Sequence, residues 1–398
     1  MARCTRLVAA VALISISMLA SEGILRIADH YIGLVHAVMM PPWERVSPIV
    51  TDTRLGARGN PYHPDHDRAG YRNAAVLRQA DVVVLGDSHA YGAGVQTAAS
   101  WPQRINQRVY NMALPSYGPG HYLLQLNDAL ALRPRLVVIA PYFGNDFVDT
   151  YLLARRHPEL LSDIAPSLRA AAAAADTQRD IEEEVSTLFA MGATPSAPAT
   201  GVRAWVSDHV KLYALARSAW TYRPISKANA ILSRDFTAAS AALTPIQRRY
   251  ASPVDTGQWR TILTPAYRAR ALDDMDPRVR IGFESARASL GVAHKRCQAA
   301  GVAVLIVLHP TKESVFWPRI RDRAAHIGLT QLVTNEQRLR EELLEWLANR
   351  RIPTVDLLQA LRAAPTQPYF EDVDGHPNEA GHAIIAQVVA NYARPLFE

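Results

Sequence analysis

Four short stretches of this sequence hold side chains that could together run acyl chemistry. They are "VVVLGDSHAYGAGV" (82–95), "NMALPSYGPG" (111–120), Gly144-Asn145-Asp146 and "DVDGHPNEAGH" (372–382). Acyl transfer by a serine needs a hydroxyl on a tight turn, a base for its proton, a group to orient that base, and donors for the oxyanion. Ser88 offers the hydroxyl and His376 the base. Asp374, two residues earlier, can hold the histidine ring in the required tautomer, with Asp372 as the fallback. The Ser88 N–H, an N–H of the 116–118 turn (Ser116 or Gly118) and the Asn145 amide make three oxyanion donors. Each stretch taken alone has an ordinary reading. Gly-Asp-Ser and Gly-Asn-Asp are turn formers, and Asp-Gly-His-Pro-Asn is a loop that caps a helix through Asn378. Their joint occurrence, each at the end of a strand, is what turn chemistry does not explain.

The elements that must position these groups follow from hydrophobic patterning. "DVVVLG" (81–86) and "RLVVIAPYFG" (135–144) read as buried strands, and "RVYNMA" (108–113) as a short one. "SWPQRINQ" (100–107) reads as a helix start, with Ser100 as its cap and Pro102 in its first turn. Tyr122, Leu126 and Leu130 mark an amphipathic helix over 120–133. The pattern resumes with a helix at 278–300, strand "GVAVLIVLHP" (301–310), a helix at 333–350, strand "IPTVD" (352–356), a short helix to about 363 and a last helix at 378–393. Short apolar strands alternating with helices predict a parallel α/β sheet covered on both faces, with its chemistry at the strand carboxyl ends. Between them, about 150–275 breaks the rhythm. It holds an alanine run (170–175), "DIEEEV" (180–185), the small-residue linker "GATPSAPATG" (192–201) and the helix-like "WVSDHVKLYALARSAW" (205–220). It reads as a mainly helical insertion within a domain spanning 76–398.

The order and spacing of the four stretches resemble the SGNH, or GDSL-type, hydrolase family. The resemblance covers roughly 76–148 and 278–395. It implies a flavodoxin-like three-layer fold, Ser88 as nucleophile and oxyanion donor, Asn145 as side-chain oxyanion donor and His376 as base. Two departures stand out. In the second stretch Ser116 occupies a position where similar family members carry glycine. The acid–base stretch is D-x-H rather than D-x-x-H, because Val373 stands three before His376. The D-x-H form looks like the periplasmic members that move acetyl groups on exopolysaccharides.

The remaining features bound the reading. Of 398 residues, 43 are basic and 37 acidic, and the basic ones are scattered with no aromatic-basic stripe, so nucleic acid is not an expected partner. Two cysteines, Cys4 and Cys297, make neither a disulfide framework nor a zinc site. Arg3 and Arg6 precede an apolar run from Leu7 to Ser21, so 1–28 reads as an export signal, favoured as an uncleaved anchor over a cleaved signal peptide. That places the rest in the periplasm, or outside the cell if the segment is cut. Residues 29–75 form a lead-in. His63, Asp65, His66 and Asp67 there read as an exposed loop and not as metal ligands. His309 and Lys312 stand at the end of the fourth strand. A cleft-facing Lys312 would bind an acidic sugar, and otherwise it is a solvated lysine. His89 either tunes the nucleophile or packs on a helix face, and His382 is a packed helix residue. The expected activity is ester hydrolysis at O-acetyl groups of a carbohydrate, without metal or cofactor. The alternatives are an O-acetyltransferase using the same residues and a non-catalytic polysaccharide-binding or assembly protein. The oligomeric state is left open.

Overall fold

A computed structural model describes residues 2–32, 35, 47–160, 206, 209–221, 234–243, 245, 247–322 and 328–398. The alanine run, "DIEEEV" and the linker at 192–201 lie outside the described residues.

Five parallel strands form the central sheet: β1 (Val82–Gly86), β2 (Val109–Asn111), β3 (Leu136–Ala140), β4 (Ala303–Leu308) and β5 (Thr354–Asp356). Every residue of β1 and β3 is buried, which suits their Val/Leu/Ile runs and shows both sheet faces covered. The order is β2-β1-β3-β4-β5, the flavodoxin-like order, in agreement with the sequence expectation. Val82 pairs with Val109 on one side and with Leu136 on the other, so β1 is where the chain turns from building leftward to building rightward. A crevice opens at the carboxyl ends of β1 and β3 in such a sheet.

Helix α1 (Ser88–Tyr91) follows β1 directly, α2 (Pro119–Ala131) follows β2, and α3 (Asp146–Arg156) follows β3. The long helix α4 (Pro277–Ala299) packs along α2 and α3 and leads into β4. Helices α5 (Lys312–Ile320) and α6 (Leu329–Asn349) lie between β4 and β5. The last helix, α7 (Glu379–Ala393), is capped by Asn378, whose Oδ1 accepts the N–H groups of Ala380 and Gly381.

The structure differs from the sequence reading in two places near this sheet. No α-helix begins at Ser100. The chain instead makes two 3-10 turns, Thr97–Ala99 and Pro102–Arg104. The Ser100 hydroxyl donates backward to the Thr97 carbonyl at 2.7 Å, and the Trp101 N–H donates to His382 Nδ1 at 3.2 Å. With the serine hydroxyl turned back on Thr97 and the Trp101 N–H spent on a distant partner, no helical ladder starts there. The 60–73 stretch is an exposed loop only in part: Tyr62, Asp65 and Arg68 are exposed, whereas Arg72 and Asn73 are buried. Asp67 is only 6 % exposed and accepts from Tyr110 Oη at 2.8 Å. Asn73 exchanges hydrogen bonds with the backbone of Asn111, so the lead-in clasps the free edge of β2.

Among the described residues of 150–275 are the helices Lys211–Thr221, Phe236–Ala242, Gln247–Tyr250 and Pro265–Ala271. They also include one antiparallel hairpin, Ser252–Asp255 with Arg260–Leu263. The N-terminal helix runs over Ala2–Tyr31, and its stretch Val8–Asp29 is long and apolar enough to cross a membrane. Val8, Leu13, Ile16 and Leu19 on it are largely exposed. Its far end is tied down by charge. Glu22 accepts the N–H groups of Lys211 and Leu212, both at 2.9 Å, and Asp29 pairs with the Lys211 ammonium at 2.7 Å. A carboxylate on two orphan N–H groups of a helix start does the work of an N-cap. Replacing Glu22 by alanine should therefore cost about 1 kcal/mol locally and speed amide exchange at Lys211 and Leu212 about fivefold in hydrogen-exchange mass spectrometry. Unchanged exchange would rule out the capping role.

Candidate active site

The nucleophile turn is built by close approach. Gly86 ends β1, and a Cβ there would lie 2.5 Å from the Ala90 Cβ and 3.2 Å from that of Ala140. Only glycine lets α1 fold back so tightly onto the strand end. Asp87 then caps α1, its Oδ1 accepting the His89 N–H at 2.8 Å. Asp87 is fully buried; burial opposes its ionisation, but the His89 ring and N–H outweigh burial and hold the carboxyl below its ordinary range. His89 packs inward, its ring stacked on Tyr142 with centroids 3.7 Å apart. Ser88 is left at the first turn of α1, facing outward, and among the described residues its N–H has no partner.

The base arrives from the 372–376 loop. His376 Nε2 stands 2.8 Å from Ser88 Oγ, and its Nδ1 stands 2.5 Å from Asp374 Oδ1. With the Nδ1 proton on the Asp374 side, Nε2 is free to accept from the serine hydroxyl. Asp374 Oδ1 also takes the His376 N–H at 2.9 Å, which fixes ring and carboxylate together. Burial disfavours charge on Asp374, but His376 and the Arg234 guanidinium overcome it and hold the carboxyl well below the usual range. Asp372, the fallback orienter, does not touch His376. Its Oδ1 accepts the Asp374 N–H at 2.9 Å and shapes the loop.

Lys312 does not face the cleft. It is 1 % exposed, and its ammonium donates to the Asp372 and Asp374 carbonyls at 2.7 and 2.9 Å from beneath the loop. Burial lowers it to about 8. It holds the loop and has no access to a substrate. His309 is buried too, neutral through burial, and its ring sits 5.7 Å from that of His89. Gly375, between the acid and the base, has a specific reason to be glycine. A Cβ on it would lie 1.8 Å from Arg268 Nη2, and Arg268 is itself buried and ion-paired with Glu313 at 3.0 Å.

The remaining donors come from the loops after β2 and β3. Gly118 is spent: its N–H donates to His121 Nδ1 at 3.1 Å at the head of α2. Ser116 is exposed, with a left-handed φ of 62°, a conformation that glycine takes without strain. Of the two candidates in this turn, Ser116 is the one with an N–H unspent among the described residues. Asn145 precedes α3 and is half-buried. Its amide donates to Asp149 one helical turn on, leaving one of its two N–H bonds uncommitted. Ser88 and Asn145 therefore stand on adjacent strand ends, β1 and β3, at the crevice.

Two residues that touch this centre carry no sequence signal of their own. Arg268 comes from the helix Pro265–Ala271, and its one trace in the sequence is the glycine it demands at 375. Arg234, from the insertion, donates to Asp374 Oδ2 at 2.7 Å and sits in no recognisable motif.

No protein-family model matches this chain, and no curated protein does. Several solved structures show a likeness to it. One is described as a lipolytic protein of the G-D-S-L family from Desulfitobacterium hafniense DCB-2, at 11 % identity over 78 % of this chain and 97 % of that one, with a TM-score of 0.35. Another is a GDSL-like lipase from Bacteroides thetaiotaomicron VPI-5482, at 12 % identity over 79 % and 87 %, with a TM-score of 0.36. A third is described as an acylhydrolase, from Bacteroides fragilis NCTC 9343, at 11 % identity over 80 % and 88 %, with a TM-score of 0.35.

Proposed function

We propose that this chain is a serine esterase of the SGNH, or GDSL-type, family, held at the cell envelope and acting on O-acetyl groups of a carbohydrate. One observation carries the reading: the continuous hydrogen-bonded line from Ser88 Oγ through His376 to Asp374, with steps of 2.8 and 2.5 Å. In the first half-reaction Ser88 Oγ bonds to the ester carbonyl carbon as its proton passes to His376 Nε2. The carbonyl oxygen becomes an oxyanion, received by the Ser88 N–H, the Ser116 N–H and the Asn145 amide. Collapse expels the sugar hydroxyl, which takes the proton from His376, and leaves acetyl on Ser88. Water, giving its proton to His376 Nε2, attacks this acyl-enzyme; the Ser88 Oγ–acetyl bond breaks, Oγ takes the proton back from His376, and acetate leaves. Asp374 stays ionised and steadies the imidazolium throughout. The apolar helix Val8–Asp29 supports the envelope location, as an anchor or an export signal. The D-x-H arrangement supports the carbohydrate reading.

The test uses the detergent-solubilised full chain with p-nitrophenyl acetate and with an acetylated polysaccharide. Ser88→Ala should lower turnover by at least about 10³-fold. Equal release by the two proteins, or none by either, would refute the esterase reading. Asn145→Ala should lower kcat by about 10²–10³ with little change in KM, because the donor acts on the transition state. Adding a deacetylated acceptor glycan identifies the second half-reaction: acetate release is hydrolysis, whereas acetyl found on the acceptor by mass spectrometry would make the enzyme a transferase.

A further inference from the structure

Arg234 reaches the centre from outside the sheet. It belongs to the 150–275 insertion, whereas Ser88, Asn145, Asp374 and His376 all come from the α/β framework. Its Nη1 donates to Asp374 Oδ2 at 2.7 Å and to Asp372 Oδ2 at 3.1 Å. Its guanidinium carbon lies 3.8 Å from the centroid of the Phe370 ring. Its Nη2 lies 3.1 Å from the point a Cβ on Gly94 would occupy, in the loop that follows the nucleophile. One side chain thus joins the nucleophile loop and the acid–base loop, and it remains 34 % exposed at the rim.

Its two effects on Asp374, positional and electrostatic, are separable. A carboxylate rotates readily about its last bond unless both oxygens are engaged. Asp374 Oδ1 takes the His376 ring and backbone N–H groups, so Oδ2 is the free handle, and Arg234 occupies it. The second effect is electrostatic. A fixed cation beside an Asp–His pair competes with the imidazolium for the carboxylate's charge, so it favours the neutral ring that can accept a proton. The other charged and titratable groups facing the pair are Asp372, the Lys312 ammonium under the loop, Arg268 against Gly375 with its partner Glu313, the buried His382 of α7, and His89, whose ring is 4.9 Å from that of His376. Lys312 and Arg268 are buried behind the loop. Arg234 is the cation on the carboxylate itself.

We infer that Arg234 is a positioning residue of the reaction, by which the insertion orients Asp374 and extends the range of acidity over which His376 works as a base. The inference rests on the esterase reading, and two measurements keep the two apart. The first is the pH profile of kcat/KM for p-nitrophenyl acetate with the detergent-solubilised full chain. Arg234→Gln keeps an amide donor for Asp374 but removes the charge. It should move the acid limb to higher pH by about 1 unit and lower kcat at neutral pH several-fold, with KM within about twofold. Arg234→Lys keeps the charge and should leave the limb within about 0.3 unit of wild type. The second measurement needs no turnover: 15N NMR of the histidine-labelled chain, with the His376 signal identified by its loss in His376→Asn. Its titration midpoint should rise by about 1 unit in Arg234→Gln. A midpoint and limb that stay put in Arg234→Gln overturn the inference, even if kcat falls, because a merely structural arginine would do that. A midpoint that rises in a chain without Ser88-dependent hydrolysis keeps Arg234's hold on the pair and overturns the esterase reading instead.

Discussion

A buried ammonium fixes the loop on which everything else at this centre depends. Lys312 opens α5 at the end of β4 and passes its charge beneath residues 372–376, where two backbone carbonyls receive it. Burying a lysine is unfavourable, and burial lowers this one to about 8 from an ordinary 10.5. Between those two pH values the unfolded chain holds a proton that the folded chain does not. Stability from this group therefore rises across that window as pH increases, and below about pH 8 the folded state carries the full cost. What the cost maintains is geometry. The carbonyls of Asp372 and Asp374 are pinned from below, so their carboxylates project upward, one to shape the loop and the other to meet His376.

The nucleophile side obeys the same logic with opposite charge. Asp87 is fully buried under Ser88 and is kept anionic by His89. Asp146, buried nearby at the start of α3, is pushed well above the usual carboxylate range by burial and by Asp87. Two close carboxylates in one core do not both ionise, and their different partners decide which one does. Tyr122 donates to Asp146 at 2.7 Å and the Tyr142 N–H at 2.9 Å, which ties α2, α3 and the end of β3 into one rigid support for Asn145.

Much of this was legible in the sequence, for reasons that can be named. The strands were, because a strand buried on both faces is written as a continuous apolar run, as in "VVVLG" and "LVVIA". The positions of Ser88, Asn145 and His376 at strand or helix ends were, because turn residues punctuate those runs. The Ser100 stretch misled because local capping signals are identical whether a serine caps a helix or folds back on Thr97; the deciding partner, His382, lies 281 residues away. Lys312 misled because its place at a strand end says which end of the sheet it occupies but not which side of a loop it faces. Arg234 left no trace, since a single arginine in irregular sequence acquires meaning only when Asp374, 140 residues on, is brought to it.

The insertion lies in the crossover from β3 to β4. A parallel crossover runs from the carboxyl end of one strand back to the start of the next, so extra chain added early in it hangs over the end of the sheet where the chemistry is. The sheet's hydrogen bonding does not depend on how long that detour is. Chain length at this one connection can therefore change what stands beside Asp374 while leaving β1, β3 and the 372–376 loop as they are. The framework and its neighbourhood are, in that sense, separately variable parts of one molecule.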